Sequence, residues 1–238
     1  MASRSDEFKR QAAEAALDYV ESGMVVGLGS GSTSLFMLEG LAQRLADGRL
    51  VGVQGVPSSR EVEEAARELG VPLTSLELHP WLDLTIDGAD EVDPRLNLIK
   101  GHGGALLREK IVAQASRREI IIVDESKLSS RLGERWAVPV EVAPFGWRSQ
   151  ALFLESLGAQ VMPRQTAQGR WYQTDNYNYI LDCTFGPLDD PGNLAHRLDA
   201  RGGILEHGLF LGLTDLVVVA GGQGIMRMQN DEEGGVWC

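Results

Sequence analysis

The amino-acid sequence predicts an α/β protein: a Rossmann-like, mostly parallel sheet with helices on both faces, plus a smaller ferredoxin-like α+β domain. Three observations support this prediction. Short apolar segments alternate with segments of helical periodicity through residues 24–123, which indicates βαβ units. After Pro139 the order changes to β-α-β-β-α-β, the split βαβ pattern. A last apolar segment, residues 216–220, suits a strand that returns to the first sheet.

In the first half of the chain, segments of helical periodicity alternate with strand-like segments. Gly48 and Gly70 end two of the helices, and Ser58 with Glu61 has the spacing of a capping box. The helical periodicity covers residues 6–21, 35–45, 62–69 and 105–115. The predicted strands cover residues 24–28, 51–56, 82–87 and 119–123. Since parallel strands need crossover connections, this alternation predicts one largely parallel sheet.

The segment after Pro139 predicts the smaller domain. Helices are expected over residues 148–157 and 193–198, and extended segments over 140–142, 159–162, 171–174, 179–183 and 204–210. The predicted domains are therefore residues 1–134 with 211–238, and residues 135–210. The end of the chain, residues 221–238, is Gly-rich, acidic and weakly patterned, so we expect it to be partly mobile.

The composition excludes several classes of function. The chain has 238 residues, and 22 Lys+Arg against 34 Asp+Glu give a net charge of −12, which argues against a protein that binds nucleic acid or an anionic membrane. Two cysteines, Cys183 and Cys238, cannot form a disulfide framework and fit a reducing cytoplasm. The first residues lack the apolar core of a signal peptide, and no apolar run approaches the ~18 residues of a membrane span. We therefore expect a cytoplasmic enzyme that acts on small molecules.

The glycine-rich segment Gly-Leu-Gly-Ser-Gly-Ser-Thr (27–33) lies between a predicted strand and a predicted helix. At that position backbone N–H groups and the helix dipole bind anions, and the hydroxyls of Ser30, Ser32 and Thr33 suit a compact phosphate. The segment is not a P-loop, because no lysine precedes the Ser/Thr, and Ser32 stands where a dinucleotide fingerprint needs Gly or Ala. An ordinary glycine-rich turn with a Ser/Thr helix cap is the alternative.

The acidic segment Asp-Gly-Ala-Asp-Glu (87–91) follows a predicted strand. Asp87 and Asp90 are therefore expected at the carboxyl edge of the sheet, where open α/β folds bind ligands. Carboxylates this close repel one another unless a substrate hydroxyl, a cation or a lysine neutralises them. The segment lacks the spacing of a calcium loop and no His pair at i, i+4 accompanies it, so a metal site is conceivable but not indicated. A solvated acidic loop is the other interpretation.

Two lysines and a glutamate complete the candidate chemistry. Lys100 begins the loop Lys-Gly-His-Gly-Gly (100–104), where a compact cation among backbone N–H groups could hold a developing oxyanion. Glu109 follows the loop by one or two helical turns, near enough to act as a general base, although a helix Glu between basic residues is commonly solvated. His102 is ambiguous, because a loop histidine is more often a surface residue than a catalytic one. Lys127 follows an apolar predicted strand and therefore reaches the same sheet edge.

Six segments occur in a specific order and spacing. They are Gly-Ser-Gly-Ser-Thr (29–33), Asp-Gly-Ala-Asp-Glu (87–91), Lys-Gly-His-Gly-Gly-Ala-Leu-Leu-Arg-Glu-Lys-Ile-Val-Ala (100–113), Asp-Glu-Ser-Lys (124–127), Pro-Val-Glu-Val (139–142) and Thr-Asp-Asn-Tyr-Asn-Tyr-Ile-Leu-Asp (174–182). In this arrangement the chain resembles the type A ribose-5-phosphate isomerases over residues 5–225. The resemblance implies a Rossmann-like domain with a smaller α+β domain, a sugar-phosphate substrate, no cofactor, no metal, and a homodimer or homotetramer.

The resemblance also implies a reaction, the interconversion of D-ribose 5-phosphate and D-ribulose 5-phosphate through a cis-enediolate. Glu109 would be the proton acceptor, and Lys100 would stabilise the enediolate oxygen. Asp87 would pass the hydroxyl proton, and Asp90 would help open the sugar ring. The implied substrate-binding residues are Ser30, Gly31, Ser32, Thr33, Asp87, Gly88, Ala89, Asp90, Lys100, Gly101, His102, Gly103 and Lys127.

Three positions differ from the pattern of that family. Ser30 replaces the usual Thr and keeps the hydroxyl. His102 replaces a Gly, so its imidazole must point away from the sugar or narrow the pocket. Tyr177 replaces another Gly, so we expect Asn176 or Asn178 to supply any positive φ in the hairpin turn.

Two other functional classes are weighed against the isomerase. One is a non-catalytic sugar-phosphate sensor on the same fold; no helix-turn-helix segment precedes residue 24, and the acidic charge does not suit DNA binding. The other is a nucleotide-dependent oxidoreductase, which the poor dinucleotide fingerprint disfavours. A test of NAD(P) binding separates that class from the isomerase.

Overall fold

A computed structural model describes residues 3–230 and 236–237. The chain forms two compact units. The first comprises Met1–Ala89, Arg108–Lys127 and Gly212–Cys238, and the second comprises Asp90–Leu107 and Leu128–Leu211. The domain division drawn from the sequence stays a prediction, and it differs in placing Asp90–Leu107, residues 128–134 and Leu211 with the first domain.

The described residues form six α-helices, a short 3-10 helix and fourteen strands. The helices are α1 (Arg4–Leu17), α2 (Ser32–Ala46), α3 (Arg60–Glu68), α4 (Leu106–Gln114), α5 (Trp147–Ser156) and α6 (Pro191–Asp199), and the 3-10 helix is Glu125–Lys127. The strands are β1 (Val25–Leu28), β2 (Gln54–Pro57), β3 (Leu84–Asp87), β4 (Glu91–Val92), β5 (Leu98–Ile99), β6 (Glu119–Asp124), β7 (Val138–Val142), β8 (Gln160–Pro163), β9 (Tyr179–Thr184), β10 (Ile204–His207), β11 (Leu209–Phe210), β12 (Leu216–Gly221), β13 (Gly224–Asn230) and β14 (Val236–Trp237). Within this described part, no helix has the length and apolar character needed to cross a bilayer.

The first unit contains a seven-stranded sheet in the order β14-β13-β12-β6-β3-β1-β2. The five strands from β12 to β2 are parallel, and β13 and β14 add antiparallel strands at one end. Successive strand residues face opposite sides: Val26 and Leu28 enter a core that includes residues of α1, α2 and α3, whereas Gly27 lies against Val112 of α4. Helices therefore cover both faces of a mostly parallel sheet, and the predicted fold class is confirmed.

The second unit contains two smaller antiparallel sheets. Strands β7, β8, β9 and β10 form a sheet in the order β10-β7-β9-β8, with α5 between β7 and β8 and α6 between β9 and β10. This is the predicted β-α-β-β-α-β arrangement, and its core contains Val140, Leu154, Leu181 and Leu198. A second sheet, β11-β5-β4, borders the loop that begins at Lys100.

Some predicted strand boundaries are wrong, and two of these errors occur at glycines, one with a positive φ and one in close contact with another backbone segment. The second strand begins at Gln54 rather than residue 51, because Gly52 has a φ of +72°, which no strand accommodates. The extended segment 204–210 divides into β10 and β11 at Gly208, where a Cβ would lie 2.3 Å from the Lys100 carbonyl oxygen. The chain therefore changes from one sheet to the other at that glycine.

Three further expectations also need correction. Of the predicted strand 171–174, Trp171 forms an isolated bridge with Gln165 and the remainder joins no strand. The cap of α3 is Ser59, whose side chain accepts the Val62 N–H, rather than the predicted Ser58. In the terminal segment, β13 pairs with β12, so 224–230 is ordered sheet. Residues 231–235 and 238, on which the rest of the predicted mobility falls, lie outside the described residues.

The turn before β9 places its positive φ on Tyr177, at +63°, and not on Asn176 or Asn178 as predicted. Thr174 Oγ1 accepts the N–H groups of both asparagines at 3.2 Å, and it donates to the buried Glu141 at 2.9 Å. Asn178 Nδ2 donates to the same Glu141 oxygen at 2.8 Å. These bonds hold the residues on either side of Tyr177, so the left-handed conformation falls on the tyrosine.

Tyr177→Gly should stabilise the protein. A left-handed conformation costs a residue with a Cβ about 1–2 kcal/mol, and glycine avoids that cost. Glycine also gives the unfolded chain more conformational entropy, which offsets part of the gain. Because the tyrosine is 64% exposed, we expect a gain of about 0.5–1 kcal/mol in the free energy of unfolding, measured by urea denaturation. Asn176→Gly is the matched control and should give no gain. A Tyr177→Gly protein no more stable than the wild type would contradict the assignment.

Glu141 predicts a pH dependence of stability. Burial raises the pKa of its carboxyl above the ordinary value and outweighs the hydrogen bonds from Asn178 and Thr174, which lower it. The folded protein therefore holds this proton to higher pH than the unfolded chain, and the contribution of Glu141 to stability falls as pH rises through that window. Glu141→Gln stays neutral throughout, so the unfolding free energy of the variant relative to the wild type should rise between about pH 4 and about pH 7.

Urea denaturation at each pH measures this difference. The control is Glu68→Gln, since Glu68 is an exposed residue of α3. The unfolding free energy of Glu68→Gln relative to the wild type should not change across the same pH range. If the unfolding free energy of Glu141→Gln relative to the wild type stays constant or falls as the pH rises, the pKa of the Glu141 carboxyl is not raised in the folded protein.

Candidate active site

The segment between β1 and α2 forms a glycine-containing turn at the start of a helix, with no side-chain cap on that helix. Gly31 is the N-cap of α2 and has a φ of +89°, a conformation that favours glycine. Ser32 and Thr33 then occupy the first turn of the helix, where N–H groups point outward and the helix dipole is positive. Ser30 lies just before the cap, and its hydroxyl is 2.8 Å from that of Ser58.

Asp87 joins this turn to the carboxyl end of β3. The side chain is 1% exposed, and its Oδ1 accepts from the N–H of Ser30 at 3.0 Å, the N–H of Gly88 at 2.7 Å and the hydroxyl of Ser34 at 3.3 Å. A Cβ on Gly29 would lie 2.2 Å from the same oxygen. The structure therefore brings together two segments that lie more than fifty residues apart in the sequence.

Lys9 adds a cation to the turn, and the sequence analysis missed it. Its Nζ lies 3.0 Å from Ser32 Oγ and 3.9 Å from an Asp6 carboxylate oxygen. The lysine reaches the first turn of α2 because α1 and α2 pack against each other through apolar residues of the first core. No local motif marks Lys9, since its position depends on the packing of two helices.

Glu109 and Lys127 are the other predicted site residues of the first unit. Glu109 lies in the first turn of α4 and is 6% exposed, so the alternative of a solvated helix face is wrong. Lys127 is half-buried at the end of the 3-10 helix that follows β6. Ala89, at the end of the segment that follows β3, is also half-buried.

The second unit holds Asp90 and the loop of residues 100–103 together. Asp90 donates its N–H to the Ile99 carbonyl at 2.9 Å, and its Oδ2 accepts the His102 N–H at 2.9 Å. Lys100 is 2% exposed, donates its N–H to the Gly208 carbonyl at 2.9 Å, and places Nζ 5.4 Å from the centre of the Phe210 ring. Asp90 is therefore not part of a merely solvated acidic loop, because its carboxylate accepts a backbone N–H of the loop that begins at Lys100.

His102 is an exposed residue of the loop that begins at Lys100. Its ring meets the ring of Trp136 edge-on, with 4.6 Å between the two centroids. The residue also lines an open cleft of about 510 Å³ with Arg164 and Asp182. Gly103 is exposed beside it, whereas Gly101 is buried and has a φ of +98°. His102 thus packs against its own unit in this structure.

One cluster of possible metal ligands occurs among the described residues, and it lies apart in sequence from the predicted site. Asp199, Glu206 and His207 place ligand atoms within 4.8 Å of one another. The Nδ1 of His207 accepts the Leu209 N–H at 3.2 Å, and its Nε2 lies 3.1 Å from Asp199. With both ring nitrogens engaged, the imidazole has no lone pair to offer a cation. This cluster therefore does not indicate a metal centre.

Comparison with known families gives one match that covers most of the chain. The family model for ribose 5-phosphate isomerase A (phosphoriboisomerase A) matches residues 54–224. Among curated proteins, ribose-5-phosphate isomerase A of Desulfatibacillum aliphaticivorans is 57% identical over 224 residues, which is 94% of this chain and 97% of the relative. The protein of the same name from Roseiflexus castenholzii is 54% identical over 93% of this chain and 95% of its own length.

Solved structures agree in fold. A D-ribose-5-phosphate isomerase in complex with phospho-erythronic acid superposes with a TM-score of 0.93 at 36% identity, covering 96% of this chain and all of that one. The ribose 5-phosphate isomerase of Plasmodium falciparum has a TM-score of 0.92 at 40% identity over 95% of this chain and 99% of its own. The residues matched by the family model, 54–224, include Asp87–Asp90, the loop of residues 100–103, Glu109 and Lys127.

Proposed function

The chain belongs to the ribose 5-phosphate isomerase A family and is an enzyme of that class, and we propose that Glu109 is the base of its reaction. Membership confirms the resemblance drawn from the motifs. In the proposed reaction, D-ribose 5-phosphate and D-ribulose 5-phosphate interconvert through a cis-enediolate. The observation that carries this proposal is the burial of Glu109 in the first turn of α4, in the same unit as the carboxylate of Asp87 and its hydrogen bonds to Ser30 and Gly88.

The phosphate end of the sugar is assigned to the turn of residues 30–33. Backbone N–H groups at the start of α2 donate to phosphate oxygens, and the helix dipole favours the negative charge. Lys9 supports this assignment, because its ammonium lies 3.0 Å from the Ser32 hydroxyl and its side chain is 18% exposed. Lys127 supplies a second cation to the proposed phosphate site. These contacts compensate locally for a chain of net charge −12, whose long-range repulsion is screened beyond about 8 Å.

The proposed chemistry moves two protons between neighbouring atoms. Glu109 takes the C2 proton of the open-chain aldose, and the electron pair of that C–H bond forms the double bond of the enediolate. The same carboxyl then returns the proton to C1, while Asp87 carries the proton of the C2 hydroxyl to the C1 oxygen. Atoms and charges balance without any oxidant, reductant or cofactor.

Two second-unit residues have supporting roles in the proposal. Lys100 stabilises the oxygen that becomes negative in the enediolate, and a buried ammonium acts there more strongly than one in water. Its low exposure and its fixed backbone suit this role. Asp90 assists the opening of the ring, and Gly101 and Gly103 contribute backbone donors, while the His102 N–H donates to Asp90.

Other parts of the proposal rest on the family alone. We propose a homodimer or homotetramer in the cytoplasm, with no cofactor. Light scattering on the purified protein measures the assembly. The alternative of a non-catalytic sensor is not favoured, because the curated relatives with high identity are named as isomerases over nearly their whole length.

Glu109→Gln should lower kcat by about 10²–10⁴ while KM changes much less, because the amide keeps the shape of the side chain but cannot accept the carbon-bound proton. The measurement follows formation of ribulose 5-phosphate from ribose 5-phosphate. Glu68→Gln makes the same change on an exposed face of α3 and should leave both constants as in the wild type. Turnover near the wild-type value in Glu109→Gln would remove the proposed base.

Lys9→Met should instead raise KM by about 10-fold with little change in kcat, since a phosphate contact far from the reacting carbons stabilises ground state and transition state alike. The inhibition constant of phospho-erythronic acid, a ligand of a solved relative that carries both a phosphate and a carboxylate, should rise by a similar factor. Arg10→Met is the control: it removes the same charge from the neighbouring residue, which pairs with Glu39 at 3.4 Å. Equal effects of the two substitutions would indicate a general loss of charge and not a phosphate contact.

A further inference from the structure

Arg164, the residue after β8, holds the backbone of the Lys100 loop from within the second unit. The side chain is 11% exposed and pairs through Nε and Nη2 with both oxygens of Asp182. Its Nη1 donates to two successive loop carbonyls, that of Gly101 at 3.0 Å and that of His102 at 2.8 Å. One guanidinium thus links a carboxylate of β9 to the loop.

A neighbouring tyrosine extends this contact to the next carbonyl. Tyr172 Oη donates to the Gly103 carbonyl at 3.2 Å, and the guanidinium of Arg164 lies 5.8 Å from the Tyr172 ring. A Cβ on Gly104 would lie 2.2 Å from the tyrosine hydroxyl, so the loop approaches the ring closely. Three consecutive carbonyl oxygens of the loop are therefore held by two side chains.

Holding these carbonyls also orients the N–H groups of the loop. In a trans peptide the carbonyl and the following N–H point in opposite directions. The N–H after the Gly101 carbonyl therefore points away from Arg164 and donates to Asp90 Oδ2 at 2.9 Å, while the Gly104 N–H donates within the loop to the Gly101 carbonyl at 3.0 Å. Lys100 precedes Gly101, the first residue whose carbonyl is held, and its own N–H donates to the Gly208 carbonyl at 2.9 Å, so the chain is held on both sides of the lysine.

We propose that Arg164 is a positioning residue of the isomerase reaction: it sets the peptide orientation of the loop that places the Lys100 ammonium. The proposal rests on the role proposed for Lys100. Arginine suits this task because its planar fork binds a carboxylate in two places and keeps a further nitrogen for the carbonyls, whereas the single ammonium of lysine cannot serve both. The ion pair with Asp182 fixes the guanidinium that donates to the loop carbonyls.

The test measures kcat, KM and the melting temperature of Arg164→Lys in the full-length enzyme. We expect kcat to fall by about 10–100-fold, the usual cost of losing a group that orients a functional residue, with KM within about 3-fold of the wild type. Arg170→Lys is the matched control, since Arg170 is an exposed residue of the same unit, and it should change neither constant.

A double-mutant cycle with Lys100→Ala separates positioning from a general structural effect. If Arg164 acts through Lys100, adding Arg164→Lys to Lys100→Ala should lower kcat no further. Additive losses, or a folded Arg164→Lys protein with wild-type kcat while Lys100→Ala is impaired, would overturn the proposal. Wild-type kcat in Lys100→Ala would show instead that the proposed active site is wrong.

Tyr172→Phe keeps the experiment decisive if Arg164→Lys does not fold. It removes one hydrogen bond to the Gly103 carbonyl and leaves the ion pair in place. We expect a fall in kcat of about 3–10-fold, corresponding to one hydrogen bond, which disappears in the Lys100→Ala background. A loss that persists in that background, or no loss at all, would overturn the proposal.

Discussion

The buried carboxylate of Asp87 is the interaction on which the first unit's candidate site depends. One of its oxygens accepts two backbone N–H groups and a hydroxyl, all from residues at the ends of β1, β3 and the beginning of α2. The approach is close enough that Gly29 has no room for a side chain. Because the strands are parallel, their carboxyl ends meet at one edge, and the Asp87 carboxylate joins the end of β3 to the turn before α2 there.

The second unit orders its backbone with a charge of the opposite sign. Asp87 accepts N–H groups, whereas Arg164 donates to the carbonyls of the Lys100 loop. Each peptide presents a donor on one side and an acceptor on the other, so a buried charged side chain decides which end faces it. Gly101 and Gly104 both have a positive φ, and this backbone freedom allows the loop to turn its carbonyls toward Arg164.

The predicted fold and its errors have a common physical basis. Apolar strands such as β6 and helices such as α2 carry their periodicity in consecutive residues, so the parallel sheet could be predicted. The division between β10 and β11 at Gly208 could not be predicted, because a glycine occurs both within strands and between them. Its close approach to the Lys100 carbonyl, which is distant in sequence, decides that the strand ends there. Likewise β13 is ordered by pairing with β12, and the turn strain fell on Tyr177 because Thr174 and Glu141 hold both neighbouring asparagines.

The candidate site shows the same division between local and distant information. Short segments of consecutive residues sufficed to nominate Asp87 and Lys100, whereas the role of Glu109 came from the resemblance to a family, because a helix Glu between basic residues is commonly solvated. Lys9 reaches Ser32 across 23 residues, and Arg164 reaches Gly101 across 63. Those contacts exist because α1 packs on α2 and because β8 and β9 border the loop, and packing between distant segments leaves no periodic trace in a single sequence. Residue type and spacing thus supplied the candidate residues, and the folded chain supplied the partners that hold them.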